Sequence, residues 1–377
     1  MSARFRTAVL GAGGSAVAVS VLLDRRDAVA AAARTWPPFV LVAGLLLIGT
    51  VANEDGVFAA AGALLDRLPG GDASLYLAAM GLVAVVTVFL NLDTAAAFLT
   101  PVMLYVAHQR RAGEARLLYG CVFMANAASL LLPGSNLTNL LVVAGGPLRA
   151  AVFAGRMLAP WAAAVVVTAA VVGVAFRSGD RRASPEDPRL PRLGTRRPEG
   201  LTLLAIGLAA AFILVFPDAA LPVAAVGAGL LAVRVGQRRL RLGDAAEAVD
   251  AATIAGLFGV ATALGTLARA WPYPMAAMRS AGAVTSAAVA AIASVAVNNL
   301  PAAVLLGSRG PAHPIPLLFG LDIGPNLAVT GSLSALVWWR AAKSCGVTPS
   351  VRRYSAAGAA LVPLSLGAAL AAYWLVR

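Results

Sequence analysis

The apolar positions of this chain gather into long runs, and short polar segments cut several of those runs in the middle. Runs lie at residues 7–23, 37–52, 75–107, 117–145, 150–176, 201–216, 219–235, 250–268, 281–306, 317–339 and 354–376. At least eight of them reach the roughly 17–25 helical residues that cross a hydrocarbon core. Backbone groups in lipid must be bonded within their own segment, so the runs predict helices and an all-α polytopic membrane protein. Residues 54–68 are mildly amphipathic instead and suit an arm lying along the inner membrane face. The first run has no small-residue cleavage site before a soluble domain, and is expected to be a retained span.

The interruptions carry more information than the runs. Residues 75–107 are too long for one span and too short for two, with Asn91-Leu92-Asp93-Thr94 at their centre. Such a segment predicts a re-entrant hairpin whose polar tip is tolerated only against protein or a water-filled cavity. A second hairpin is expected at 281–307, around Asn298-Asn299-Leu300-Pro301. Broken helices are expected at 117–145, around Pro133-Gly134-Ser135-Asn136-Leu137-Thr138-Asn139, and at 317–341, around Asp322 to Asn326 and Thr330-Gly331-Ser332. Breaks at matching places in two halves point to a carrier's midplane site. The Arg- and Pro-rich stretch 177–200 is the natural linker, leaving residues 1–176 and 201–377 as halves. The halves also share Val42-Ala43-Gly44-Leu45 against Ile254-Ala255-Gly256-Leu257.

Composition agrees with a membrane protein: 60% of residues are hydrophobic and only 12% charged, against roughly 25% charged in soluble domains. The formal net charge of +13 would fit nucleic acid, but the basic residues cluster between apolar runs. Cytoplasmic loops carry such an excess. Placing the clusters inside puts 21 basic residues in the cytoplasm and nine outside. The first hairpin then enters from the inside and the second from the outside, which makes the repeat inverted. No nucleotide motif, metal-ligand spacing or catalytic set is present, so no cofactor, metal, nucleic-acid partner or enzyme activity is expected. Cys121 and Cys345 read as packing residues, Trp36, Trp271 and Trp338-Trp339 as interfacial belts, and Arg156 and Arg269 as snorkelling residues.

Unwound segments expose backbone amides and carbonyls, and Asn, Ser and Thr add uncharged donors and acceptors that replace water around a solute. The expected binding residues are Asn91, Asp93, Thr94, Asn126, Ser135, Asn136, Thr138, Asn139, Asn298, Asn299, Asp322, Asn326, Thr330 and Ser332. Asp93 and Asp322 are the acids within the transport segments, and an acid at mid-bilayer is a functional candidate by default. Asp93 is expected to carry the coupling proton; Asp322 is either a site residue or a helix cap.

Three stretches resemble the arsenical-pump membrane subunit family, within the ion-transporter superfamily that includes sodium-coupled dicarboxylate carriers. They are Asn91 to Pro101, Ala125 to Leu140, and Val297 to Ala302 with Gly320 to Leu327 and Thr330 to Leu333. The resemblance implies an inverted-repeat elevator architecture in the cell membrane. It also implies proton-coupled export of arsenite or antimonite, with a soluble ATPase subunit in some members and a homodimer among the possible assemblies. Where sodium-coupled relatives read Ser-Asn-Thr at the tip, this chain has Leu92-Asp93-Thr94 and Asn298-Asn299-Leu300, which favours protons. A citrate- or dicarboxylate-type anion carrier and a sodium/proton antiporter are the alternatives.

Overall fold

Pro37 and Pro38 do not start a helix, as the apolar pattern suggests, but sit inside one. In the computed structural model, which describes residues 3–143, 149–177, 198–216, 218–243, 246, 250–271, 273–307 and 310–376, helix α2 runs Arg25–Glu54. Its alanine-rich first turns are strong helix formers, and the Asp24 side chain caps them by accepting from the Asp27 amide at 2.9 Å. The prolines cost the helix two donors, at the carbonyls of Ala33 and Arg34.

The other elements follow the apolar runs closely. α1 is Ala3–Leu23, α3 Val57–Arg67 and α4 Asp72–Leu90. After Asn91 the chain re-enters helix through a turn α5, Leu92–Thr94, a π-helical segment Ala95–Leu99, and α6, Thr100–Gln109. α7 is Glu114–Ala128, α8 Leu137–Val143, α9 Ala150–Ala175, α10 Gly200–Val215 and α11 Ala220–Gly236. α12 is Ala251–Ala270, α13 Tyr273–Ser280, α14 Ala283–Val297 and α15 Asn299–Gly307. α16 is Pro314–Ile323, α17 Leu333–Ser344 and α18 Val351–Leu375. Six of these helices are long and apolar enough to cross a membrane, among the described residues. Most of the expected linker, and the end of the run 117–145, lie outside the described residues.

Side-chain pairs fix the helix directions. α1 and α12 run parallel: Arg6 pairs with Asp250 at 3.0 Å, and Gly13 lies against Gly256 and Gly259. α2 and α11 also run parallel, with Gly44 against Ala224 and Asp55 paired with Arg234 at 2.8 Å. α2 and α12 run opposite ways, because Asp27 meets Arg269 at 3.1 Å and Thr35 meets Thr262 at 3.4 Å. Thus α1–α2 and α11–α12 are equivalent pairs of opposite sense. Gly44 and Gly256 occupy matching places in them, each where a Cβ would strike the neighbouring helix; the short motif shared by the halves therefore marks helix crossings.

Several residues are held by contacts that only the fold brings together, and two of them, Trp338 and Arg269, sit differently from their sequence reading. Trp338 is fully buried and donates to the Leu118 carbonyl at 2.8 Å, so it is core rather than interfacial belt. Arg234 is buried in a cluster with Asp55, Thr202 and Glu199, where α2 and α11 end and α10 begins. Arg269 is tied to Asp27 rather than reaching for the membrane surface. His108 is buried, with Nδ1 2.8 Å from the Leu104 carbonyl. The short helix α13 was not legible, because its eight residues are too few and too weakly apolar to form a run of their own.

Candidate functional site

The two broken helices meet at their breaks. In the first, α7 ends at Ala128; Leu132 and Asn136 are extended, and Pro133 has no amide hydrogen with which to continue a helix. In the second, α16 ends at Ile323, Pro325 plays the same part, and Ala328 and Ser332 are extended. Each restarting half-helix is then capped from its own break. The Asn136 side-chain Oδ1 accepts from the Thr138 amide at 3.1 Å, and the Ser332 hydroxyl from the Ala335 amide at 3.2 Å.

Their helices cross in opposite senses and are stitched by polar side chains. Asn126 donates to Asn326 at 2.7 Å, Asn326 to the Phe123 carbonyl at 3.4 Å, and Ser334 to Asn126 at 3.3 Å. Three residues farther along α7, Asp322 comes into reach. Its carboxylate accepts from Thr138 at 2.7 Å, Asn136 at 2.9 Å and, more weakly, Ser129 at 3.5 Å. Asp322 is fully buried, and among the described residues no basic side chain pairs with it. A charge at mid-bilayer costs about 2.5–3.5 kcal/mol on insertion scales. Two good hydrogen bonds to a charged group return about 3–6 kcal/mol. The pocket can therefore hold Asp322 as a carboxylate, with its remaining lone pairs available to a small cation.

The hairpins bring their tips to these breaks from opposite ends. α4 runs parallel to α7, with Met80 against Gly120, and Val88 accepts from Ser135 at 3.0 Å. α14 runs parallel to α16, with Ala287 against Gly320 and Ala291 against Gly324, and Asn298 donates to the Thr330 carbonyl at 3.0 Å. Since α7 and α16 oppose one another, so do the hairpins. Both tips are asparagines with positive φ: Asn91 at φ 128°, ψ 170° and Asn298 at φ 76°, ψ 151°. That region is almost confined to glycine and costs about 1–3 kcal/mol for other residues. In both, the side-chain carbonyl accepts from the backbone that follows, the Thr94 amide at 2.7 Å and the Leu300 amide at 3.2 Å.

Of the fourteen expected residues, Asn126, Asn136, Thr138, Asp322 and Asn326 form one network, to which sequence reading had not assigned Ser129 and Ser334. Asn139 donates to the carbonyls of Ser129 and Leu132 and braces the first break. Ser332 joins through Ser334 at 2.9 Å. Asn91 and Thr94 stand at the first tip, Asn298 and Asn299 at the second, and Thr330 is exposed. Asp93 is half-buried, outside the network, and makes no hydrogen bond or ion pair among the described residues. Asn91 Nδ2, Thr94 Oγ1 and Asn139 Oδ1 are buried without a hydrogen-bond partner. Buried polar atoms are nearly always satisfied, so these three stand out among the described residues of the tips and breaks.

The family model of the citrate transporters, CitMHS, matches residues 2–322, most of this chain. The chain belongs to that family. No curated protein matches it. The crystal structure of the Alcanivorax borkumensis YdaH transporter, described as having an unusual topology, is similar in fold. It shares 13% identity over 93% of this chain and 87% of that one, with a TM-score of 0.58. As a member of the citrate transporter family the chain is a multi-pass membrane protein and a secondary transporter, not an enzyme. The likeness to arsenical pumps holds at the level of the shared ion-transporter superfamily; arsenite specificity does not follow from these matches.

Proposed function

We propose that this protein carries a citrate-like polycarboxylate across the cell membrane, coupled to a small cation bound at Asp322. The observation that carries the reading is a buried carboxylate, set where two oppositely directed broken helices meet and surrounded only by uncharged partners. Half-helix N-termini beside it present positive dipole ends suited to an anion. The family's name supplies the substrate class. The two halves, residues 1–176 and 201–377, supply one hairpin and one broken helix each. These four elements form the part that moves, with α1, α2 and α10 to α12 as the scaffold.

Asp93 is the second candidate for coupling. It lies two residues from the first tip with no partner to hold it, so a proton can come and go there without breaking a network. The remaining expected residues would contact the anion through their amides and hydroxyls.

A second reading, proton-coupled export of arsenite or antimonite, is favoured by the uncharged donor set of the breaks, which suits a neutral hydroxide. Purified protein in liposomes separates the two. Uptake of labelled citrate driven by an inward proton or sodium gradient, undiminished by excess arsenite, is the expected result. Gradient-driven arsenite movement without citrate movement would replace the first reading with the second. A soluble ATPase partner would act only in that second case.

A further inference from the structure

We propose that Arg34, Arg269 and Arg279 form an anion-loading site for the polycarboxylate, separate from the breaks, in a cavity between the scaffold and the moving elements. The inference rests on the carboxylate reading and adds to it a place where the substrate is first held. The cavity has a volume of about 320 Å³ and is lined by these three arginines with Thr35, Leu141 and Val304. That volume is at the lower end of small-molecule sites, which suits a compact di- or tricarboxylate.

Three elements converge to make it. Arg34 and Thr35 come from α2, Arg269 from the end of α12, and Arg279 from α13. Arg269 is oriented by Asp27 at 3.1 Å. Among the described residues that line the cavity, the charged side chains are these three arginines. Arginine's planar fork matches a carboxylate with two parallel hydrogen bonds, and a cleft lined by one sign of charge raises the local concentration of the opposite ion. By the distribution of basic residues this end of the scaffold faces outward.

The opposite wall leads to the second tip. Leu141 of α8 and Val304 of α15 line the cavity and also belong to an apolar cluster with Phe39, Ala261 and Leu300. Leu300 is two residues beyond Asn298. The loading site is thus separated from the second hairpin tip by a thin apolar layer whose members come from both scaffold and moving elements. Sliding of α8 and α15 past α2 and α12 opens that layer, and the anion passes from the arginines to the asparagines.

The test is a kinetic split in intact cells expressing the full chain. Arg279 is exposed, so Arg279→Gln is the first variant; Arg34→Gln is the second, and Arg279→Lys the conservative control. Each glutamine variant should raise KM for external citrate about tenfold with kcat within twofold, the signature of lost ground-state capture, and lysine should restore part of it. Citrate should also raise the unfolding temperature of the purified wild type more than that of Arg279→Gln. Wild-type uptake with the same KM in both glutamine variants would overturn the loading site and leave the carrier reading standing. Wild type showing neither citrate uptake nor a citrate-dependent rise would overturn both.

Discussion

The two hairpin tips share a backbone and differ in everything around it. Asn91 and Asn298 both hold positive φ and both turn their side-chain carbonyls onto the chain that follows. The first tip is sealed: Asn91 and Thr94 are buried, and Thr94 sits against Gly49 of α2. The second is open, with Asn298 half-buried and its neighbour Thr330 exposed. Pseudo-symmetry therefore preserves the strained turn that ends each hairpin, while position relative to the scaffold decides whether the tip is covered. One closed tip and one open tip is the arrangement an alternating carrier needs at either end of its cycle.

The sharpest way to break that contrast is to fill the space under the closed tip. A Cβ at Gly49 would meet Thr94 Cγ2 at 2.6 Å, so Gly49→Leu should cost about 1–3 kcal/mol of stability by overpacking. It should also make a cysteine at position 94 react with a polar maleimide. Protection of that cysteine in the Leu variant would show that the seat against α2 is unimportant.

The tips should also differ in how much their caps are worth. Asn91→Ala removes a short, buried bond to the Thr94 amide and should cost about 0.5–2 kcal/mol. Asn298→Ala loses a longer, partly solvated bond and should cost the lower end of that range. Thermal unfolding in detergent measures both; equal losses would mean that burial does not distinguish them. Smallest of all is Asn298→Gly. Glycine accepts the positive φ without strain, so the unfolding midpoint should stay level or rise slightly while citrate transport falls. A clear drop in the midpoint would deny that the backbone there is strained.

Much of this was legible in the sequence. Hairpin and broken-helix boundaries follow from polar residues placed where a lipid-facing helix cannot tolerate them, and Asn91, Asn298, Pro133 and Pro325 mark the turns directly. The inverted sense was legible from where the arginines fall. The network around Asp322 was not. Sequence favoured Asp93, beside a hairpin tip, over Asp322. Only the antiparallel crossing of α7 and α16 shows that Asn136 and Thr138 reach Asp322 across 186 and 184 residues of chain. The buried pairing of Asp55 with Arg234 was hidden for the same reason. An arginine at a helix end is read as topogenic until its acid partner, far away in the chain, is seen beside it.

The most direct measurement is gradient-driven citrate uptake by Asp322→Asn in liposomes, beside wild type and Asp93→Asn. Asparagine keeps the size and can still accept from Thr138, so the protein should fold and elute as wild type does. Uptake driven by the cation gradient should fall by at least about tenfold, the loss of one interaction worth about 1.4 kcal/mol. Wild-type rates in Asp322→Asn, with the same dependence on the gradient, would contradict the claim that the meeting point of the broken helices is where the coupling charge binds.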